Sequence, residues 1–291
     1  SRLPAPGTLR IALFGDSFTH CNEATFKDTW GSILENNLKK ANVAAEVLNF
    51  GVSGYGMDQA FLRWRHQGKK FSPHIVLFGL CTENMNRNLN IIRPLYTVWG
   101  PDFTKPRFHL KGNDLKLVNY PSASPKEMLR ILANMNAWGD IDYEYWIQPR
   151  KYQSHFWQHS KLLCLIQHVF TKISNKVIGS ETVKKKFYTI NSKPVTLALK
   201  IIAEFKEDVA SSSGKFCIVY LPSYNEIKRL LKGQALPSSV MIDRLRKTYT
   251  VIDPSQALAK KAHRSSLDSL FDPIFRGHFS ASANHTIAHV I

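Results

Sequence analysis

Arg10-Ile11-Ala12-Leu13-Phe14-Gly15-Asp16-Ser17 opens with a short, mainly apolar run and stops at a glycine-aspartate-serine turn. Such a run, cut off by turn residues, reads as a buried strand emptying into a loop. Downstream, residues 29–38 place Trp30, Ile33, Leu34 and Leu38 at helical spacing. Residues 45–50 read as a second strand, 51–56 as a glycine-rich loop, 57–67 as a helix and 74–79 as a third buried strand. Strand and helix thus alternate through the first ninety or so residues, the pattern of a parallel sheet covered by helices on both faces.

The alternation stops at about residue 90 and returns at about 193. Within that stretch, 107–110 and 115–118 flank Gly112-Asn113-Asp114, which predicts a β-hairpin. Ser124, Pro125 and Glu127 have the spacing of a capped helix start. Residues 143–157 are rich in aromatics (Tyr143, Tyr145, Trp146, Trp157), and 162–173 are apolar enough for a helix. The whole stretch reads as a mostly helical insertion, hairpin plus helices, in one domain spanning 1–291. Beyond it, 194–209 read as a helix, 215–221 as a strand, 240–248 as a helix, 250–252 as a short strand and 281–291 as a final helix.

The chain has 291 residues, 44% of them hydrophobic, enough for a sizeable core. No apolar run approaches the roughly 18–20 residues of a membrane-spanning helix. No signal peptide opens the sequence, and its start at Ser1-Arg2-Leu3-Pro4 fits the removal of an upstream signal or anchor. A net charge of +17 favours polyanions, yet zinc-finger spacing, an RRM signature and a long basic helix are all missing, so nucleic acid is not an expected partner. Cys21, Cys81, Cys164 and Cys217 form no CxxC pair, and no metal-ligand spacing occurs; no cofactor is expected. Cys217 reads as core, and Cys21 and Cys81 follow motif strands near the expected site.

A serine just beyond a buried strand sits at the carboxyl edge of a parallel sheet, where ligands bind. The helix that follows aims its free N–H groups and dipole at the same place. The serine needs a base within hydrogen-bond reach to become a nucleophile. Taken alone, Gly-Asp-Ser is equally an ordinary turn in which Asp16 and Ser17 cap the next helix.

Two further stretches change that reading. Leu48-Asn49-Phe50-Gly51-Val52-Ser53-Gly54-Tyr55-Gly56 is a strand, an asparagine and a glycine loop. Gly277-His278-Phe279-Ser280 puts a histidine just before the final helix, where Asn284 follows. With residues 11–19, these resemble blocks one, two and five of the SGNH/GDSL hydrolase superfamily, in the family's order and at both ends of the chain. The resemblance is closer to exported, often membrane-anchored members encoded near polysaccharide genes. It implies a three-layer α/β/α, flavodoxin-like parallel sheet. It also implies that Ser17 attacks an ester carbonyl, that His278 is its base, and that the oxyanion is held by the Ser17 and Gly54 N–H groups and an asparagine. Glycine suits position 54, where the backbone must approach a substrate closely.

This chain departs from the family twice. In place of the third block's Gly-x-Asn-Asp it runs Gly79-Leu80-Cys81-Thr82-Glu83-Asn84-Met85-Asn86-Arg87-Asn88. Asn84 is the expected oxyanion donor, because an amide donates and a carboxylate does not; a one-residue shift would place Glu83 there, and Asn86 and Asn88 are further candidates. Three residues before His278, where the family has an aspartate, stands Phe275. Asp272 is six before. Either Asp272 reaches the imidazole, or a backbone carbonyl orients it, or the site is a dyad or has lost its activity.

The resemblance therefore implies a serine esterase with a covalent acyl-enzyme, acting on acyl, chiefly acetyl, esters of a carbohydrate. The basic surface suits an anionic glycan. The alternatives are an O-acetyltransferase on a polysaccharide and an SGNH-fold carbohydrate-binding protein of weak activity. A periplasmic or other extracytoplasmic location is expected.

Overall fold

The computed structural model describes residues 2–82, 84–96, 103–145, 160–163, 165–166, 187–189, 191–273 and 277–291. The described residues fall into two compact units: residues 1–88 with 197–291, and residues 89–196.

The first unit is built on five parallel strands: β1 (Leu9–Phe14), β2 (Ala45–Asn49), β3 (Ile75–Leu80), β6 (Lys215–Tyr220) and β7 (Val251–Ile252). Their order across the sheet is β2-β1-β3-β6-β7. The chain steps from β1 to β2 on one side and then returns to place β3 on the other. That reversal opens a crevice beyond the carboxyl end of β1, the place where open α/β sheets bind ligands.

Strand residues alternate between the two faces. Ile11 and Leu13 of β1, Leu77 of β3 and Val219 of β6 point to one core. There they meet Phe18 of α1 (Ser17–His20), Trp30, Ile33 and Leu34 of α2 (Trp30–Lys40), and residues of α8 (Tyr224–Leu231), α10 (Ser255–Arg264) and α11 (Ala281–Val290). Phe14, Phe78 and Phe216, of opposite parity, face the other way. They pack around Phe205 of α7 (Lys193–Ser211), with ring centroids 5.8, 5.6 and 5.1 Å away. Trp64 and Phe61 of α3 (Met57–His66) complete that layer. The indole N–H of Trp64 donates to Asp208 Oδ1 at 2.9 Å, which pins α3 to α7. The fold is a three-layer α/β/α sandwich with a parallel sheet in the middle.

Arg10 is a charged residue in a buried strand, and its partners explain it. Its Nε donates to Glu46 Oε1 on neighbouring β2 at 2.8 Å, and Nη1 donates to the carbonyls of Arg2 and Phe71. A buried guanidinium persists only when it is paired and hydrogen-bonded in this way.

In the second unit, β4 (Arg107–Lys111) and β5 (Asp114–Val118) form the hairpin, with Gly112 at φ +62° in its two-residue turn. The strands reach one residue further into the turn than the sequence pattern predicts. α6 (Pro125–Ala133) starts with the predicted capping box of Ser124 and Glu127. Its Met128 and Ile131 pack with Ile92. Buried Glu144 accepts the backbone N–H groups of Ile91 and Ile92, fixing the start of the unit. Of the aromatics at 143–157, Tyr143 and Tyr145 are described, and Tyr143 stacks on His109 at 4.3 Å. Trp146 and Trp157, and most of the helix predicted over 162–173, lie outside the described residues.

The sequence pattern missed α8 and α10. Both are short: α8 carries Tyr224, Ile227, Leu230 and Leu231 at helical spacing over only two turns, and α10 buries little beyond Leu258 and Ala262. That spacing and the capping pair Ser223 and Glu226 were the available signals for α8.

Candidate active site

β1 ends at Phe14, and Gly15-Asp16 turns the chain into α1. A Cβ on Gly15 would stand 2.2 Å from Thr19 Oγ1, and one on Gly79 2.1 Å from the same atom. The turn after β1 can lie this close to β3 only because both residues are glycine. Asp16 caps α1: its Oδ1 accepts the Phe18 N–H at 3.0 Å. Ser17 is thereby the first residue of α1, buried at the carboxyl edge of the sheet.

The loop after β2 is stitched to this turn. Asn49 Nδ2 donates to the Thr19 carbonyl at 2.8 Å, while its Oδ1 accepts the Gly51 N–H. The Val52 N–H donates to the Gly15 carbonyl at 3.1 Å. Gly54 in that loop has φ +80°, a left-handed conformation that glycine adopts without strain.

His278 comes from the other end of the chain. A bridge between Phe271 and Phe279 and a 2.8 Å bond from the Asp272 N–H to the His278 carbonyl hold its segment. Ser280 then caps α11, its Oγ accepting from the Ala283 N–H. The imidazole lies edge-on to Phe18, centroids 5.4 Å apart. Its Nε2 is 2.7 Å from Ser17 Oγ.

The carboxylate at the far side of the ring is Glu23, with Oε1 2.8 Å from His278 Nδ1. The two atoms are within ion-pair distance, though the geometry does not meet that of a good hydrogen bond. Asp272, the orienting candidate of the sequence reading, meets the histidine segment through its backbone. The bond it gives the histidine comes from its backbone N–H and goes to the His278 carbonyl, while the group at Nδ1 is Glu23. Cys21 brings this about: in the left-handed conformation at φ 60°, it ends α1 and folds the chain back towards the ring. No motif marks Glu23 in the sequence; it is an acidic residue in a turn, six positions after Ser17.

The three N–H donors that the family resemblance assigns to the oxyanion are unspent. The backbone N–H groups of Ser17 and Gly54, and the amide nitrogen of Asn84, make no hydrogen bond among the described residues. Asn84 starts α4 (Asn84–Arg87) just beyond β3 and is buried. Its Oδ1 accepts from Arg87 Nη1 at 3.1 Å, which leaves the NH₂ free to donate. Of the other candidates, Asn88 uses its Oδ1 on the Met57 N–H at 2.8 Å and so caps α3. Asn86 makes no contact that suggests a role, and Glu83 lies outside the described residues. Arg87 itself was not singled out in the sequence, where it stands among asparagines.

Cys21 also lies here but is no rival nucleophile. Burial pushes its thiol up to about 12. Its Sγ lies 3.3 Å from the Phe18 carbonyl, as donor. With the group neutral below that value, only ~10⁻⁴ of it is thiolate at pH 8. We expect iodoacetamide at pH 8 to leave Cys21 unmodified in the folded protein and to label it in urea, read by peptide mass; labelling at equal rates in both would contradict this.

No protein-family model and no curated protein matches the chain. Solved structures similar to it are lipolytic proteins and esterases. One is a protein of the G-D-S-L lipolytic family from Desulfitobacterium hafniense, 10% identical over 97% of this chain and 96% of that one, with a TM-score of 0.47. Another is an acetylxylan esterase from Geobacillus stearothermophilus, 10% identical over 97% and 91%, TM-score 0.48. A third is a lipase from a goat rumen metagenome, 12% identical over 97% and 95%, TM-score 0.48. At such distances, what this chain does must be argued from its own residues. Among the described residues, no helix is long and apolar enough to cross a membrane, and no cluster of His, Cys, Asp and Glu could hold a metal ion.

Proposed function

We propose that the protein is a serine ester hydrolase of the SGNH type. The carrying observation is the chain of contacts from Ser17 Oγ to His278 Nε2 at 2.7 Å and from His278 Nδ1 to Glu23 at 2.8 Å. A nucleophile, a base and an acid behind the base form the arrangement that acyl transfer requires.

In this reading Ser17 Oγ bonds to the acyl carbon while His278 Nε2 takes the hydroxyl proton. Negative charge moves to the carbonyl oxygen, where the Ser17 and Gly54 N–H groups and the Asn84 amide receive it. The carbon–oxygen bond to the alcohol breaks, and the alcohol leaves with the proton from His278. Water then attacks the acyl-Ser17 ester, giving its proton to His278. The acid departs and the proton returns to Ser17. Glu23 stabilises the imidazolium formed in each half.

The proposed substrate is an acetylated carbohydrate outside the cytoplasm. The three sequence blocks support it through their resemblance to polysaccharide-linked members, and the +17 charge suits an anionic glycan. A fluorophosphonate probe tests the reading: it should attach to Ser17 in the wild-type protein and not in the heat-unfolded chain. Failure to label the folded protein would refute it. Added glycan separates hydrolysis from transfer, since an acceptor that captures the acyl group suppresses acetate release.

A further inference from the structure

Arg87 touches every segment that carries an unspent donor. Its Nη1 donates to Asp16 Oδ2 at 2.8 Å, beside Ser17. The same nitrogen donates to the Tyr55 carbonyl at 3.1 Å, beside Gly54. It also donates to Asn84 Oδ1 at 3.1 Å. One nitrogen with two hydrogens thus serves three oxygens, one N–H being shared. The three segments follow β1, β2 and β3, and Arg87 joins them. The Asp16 side chain is fully buried and that of Arg87 nearly so.

We infer that Arg87 is the positioning residue of the oxyanion hole. The inference rests on the proposed esterase reading and adds to it a residue that touches neither nucleophile nor base. Two physical consequences follow from the contacts. An arginine N–H can only meet the oxygen of an amide, so Arg87 fixes which way Asn84 faces and turns its NH₂ outward as a donor. The cation is already paired with the Asp16 carboxylate, so its effect on the oxyanion is delivered through the donors it holds, not through its own charge. Donors that are already aimed need no reorganisation when charge develops, and this is what makes such a site effective.

The test measures p-nitrophenyl acetate kinetics for Arg87→Met, Asn84→Ala and the double variant. Arg87→Met should lower kcat by about 10²–10³, the loss expected for one oxyanion donor, with KM little changed. Because Arg87 acts through Asn84, the double variant should be no slower than the slower single variant. A merely structural arginine would give losses that multiply, and that result overturns the inference. So does full kcat in a folded Arg87→Met protein. Removing the cation strands the Asp16 carboxylate in the core and can prevent folding. Arg87→Lys keeps a cation there, and the same cycle against Asn84→Ala is then read on that background: shared losses support the inference and multiplying losses sink it. Fluorophosphonate labelling of wild-type Ser17 separates the two levels. Labelling with no Arg87 effect removes the positioning role alone, and no labelling removes the esterase reading and this inference together.

Discussion

Ser17→Ala is expected to abolish p-nitrophenyl acetate hydrolysis while leaving the circular dichroism spectrum and the melting temperature close to wild type. The side chain is small, and its only hydrogen-bond partner among the described residues is His278 Nε2 at 2.7 Å. Losing that one bond costs about 1 kcal/mol at most in stability. The kinetic loss is far larger, on the order of 10⁶ in kcat for an analogous protease nucleophile. His278→Ala should be nearly as damaging, and the double variant no worse than either alone, because a nucleophile without its base and a base without its nucleophile are equally idle. Most of the activity surviving in a folded Ser17→Ala protein would refute the assignment, and independent, multiplying losses would remove His278 from it.

Glu23→Gln should reduce kcat by roughly 10³–10⁴ with little change in KM. The amide keeps the shape and removes the charge that stabilises the imidazolium, and the equivalent change in a serine protease costs about 10⁴. Asp272→Asn should stay close to wild type, since the tie between that residue and His278 is made by its backbone. Measuring both variants side by side decides which carboxylate serves the histidine. A thousandfold loss in Asp272→Asn with a mild Glu23→Gln would reverse the assignment.

Much of the fold was legible because its strands are short apolar runs flanked by glycine, proline or serine. Residues 10–14, 45–50, 74–79 and 215–221 each have that form, and each is a strand of the parallel sheet. Ser17 and His278 were singled out for another reason: the stretches around them resemble two of the family's blocks, one at a strand end and one before a helix start. Glu23 was not, because its role depends on one residue, Cys21, adopting a left-handed turn, and nothing in the residue types around it requires that turn. Arg87 was hidden for a related reason. Its partners lie 71 and 32 positions away, at Asp16 and Tyr55, and only the β2-β1-β3 strand order brings them to it. Sequence spacing reveals contacts within an element; it reveals contacts between three loops only once the sheet order is known.

Ser17 and Glu23 share the segment that follows the first strand, whereas His278 stands 261 residues after Ser17. A ribosome adding about 5–20 residues per second needs tens of seconds to cross that interval. For all of that time the proposed nucleophile and acid are without the proposed base. In the proposed site the hydroxyl would meet its base only once α11, capped by Ser280 directly behind the histidine, settles beside α2. Under the proposed function, ester turnover requires the chain through His278 to be in place, and a refolding trace followed by activity should trail one followed by the fluorescence of Trp30 and Trp64, which are buried against the sheet.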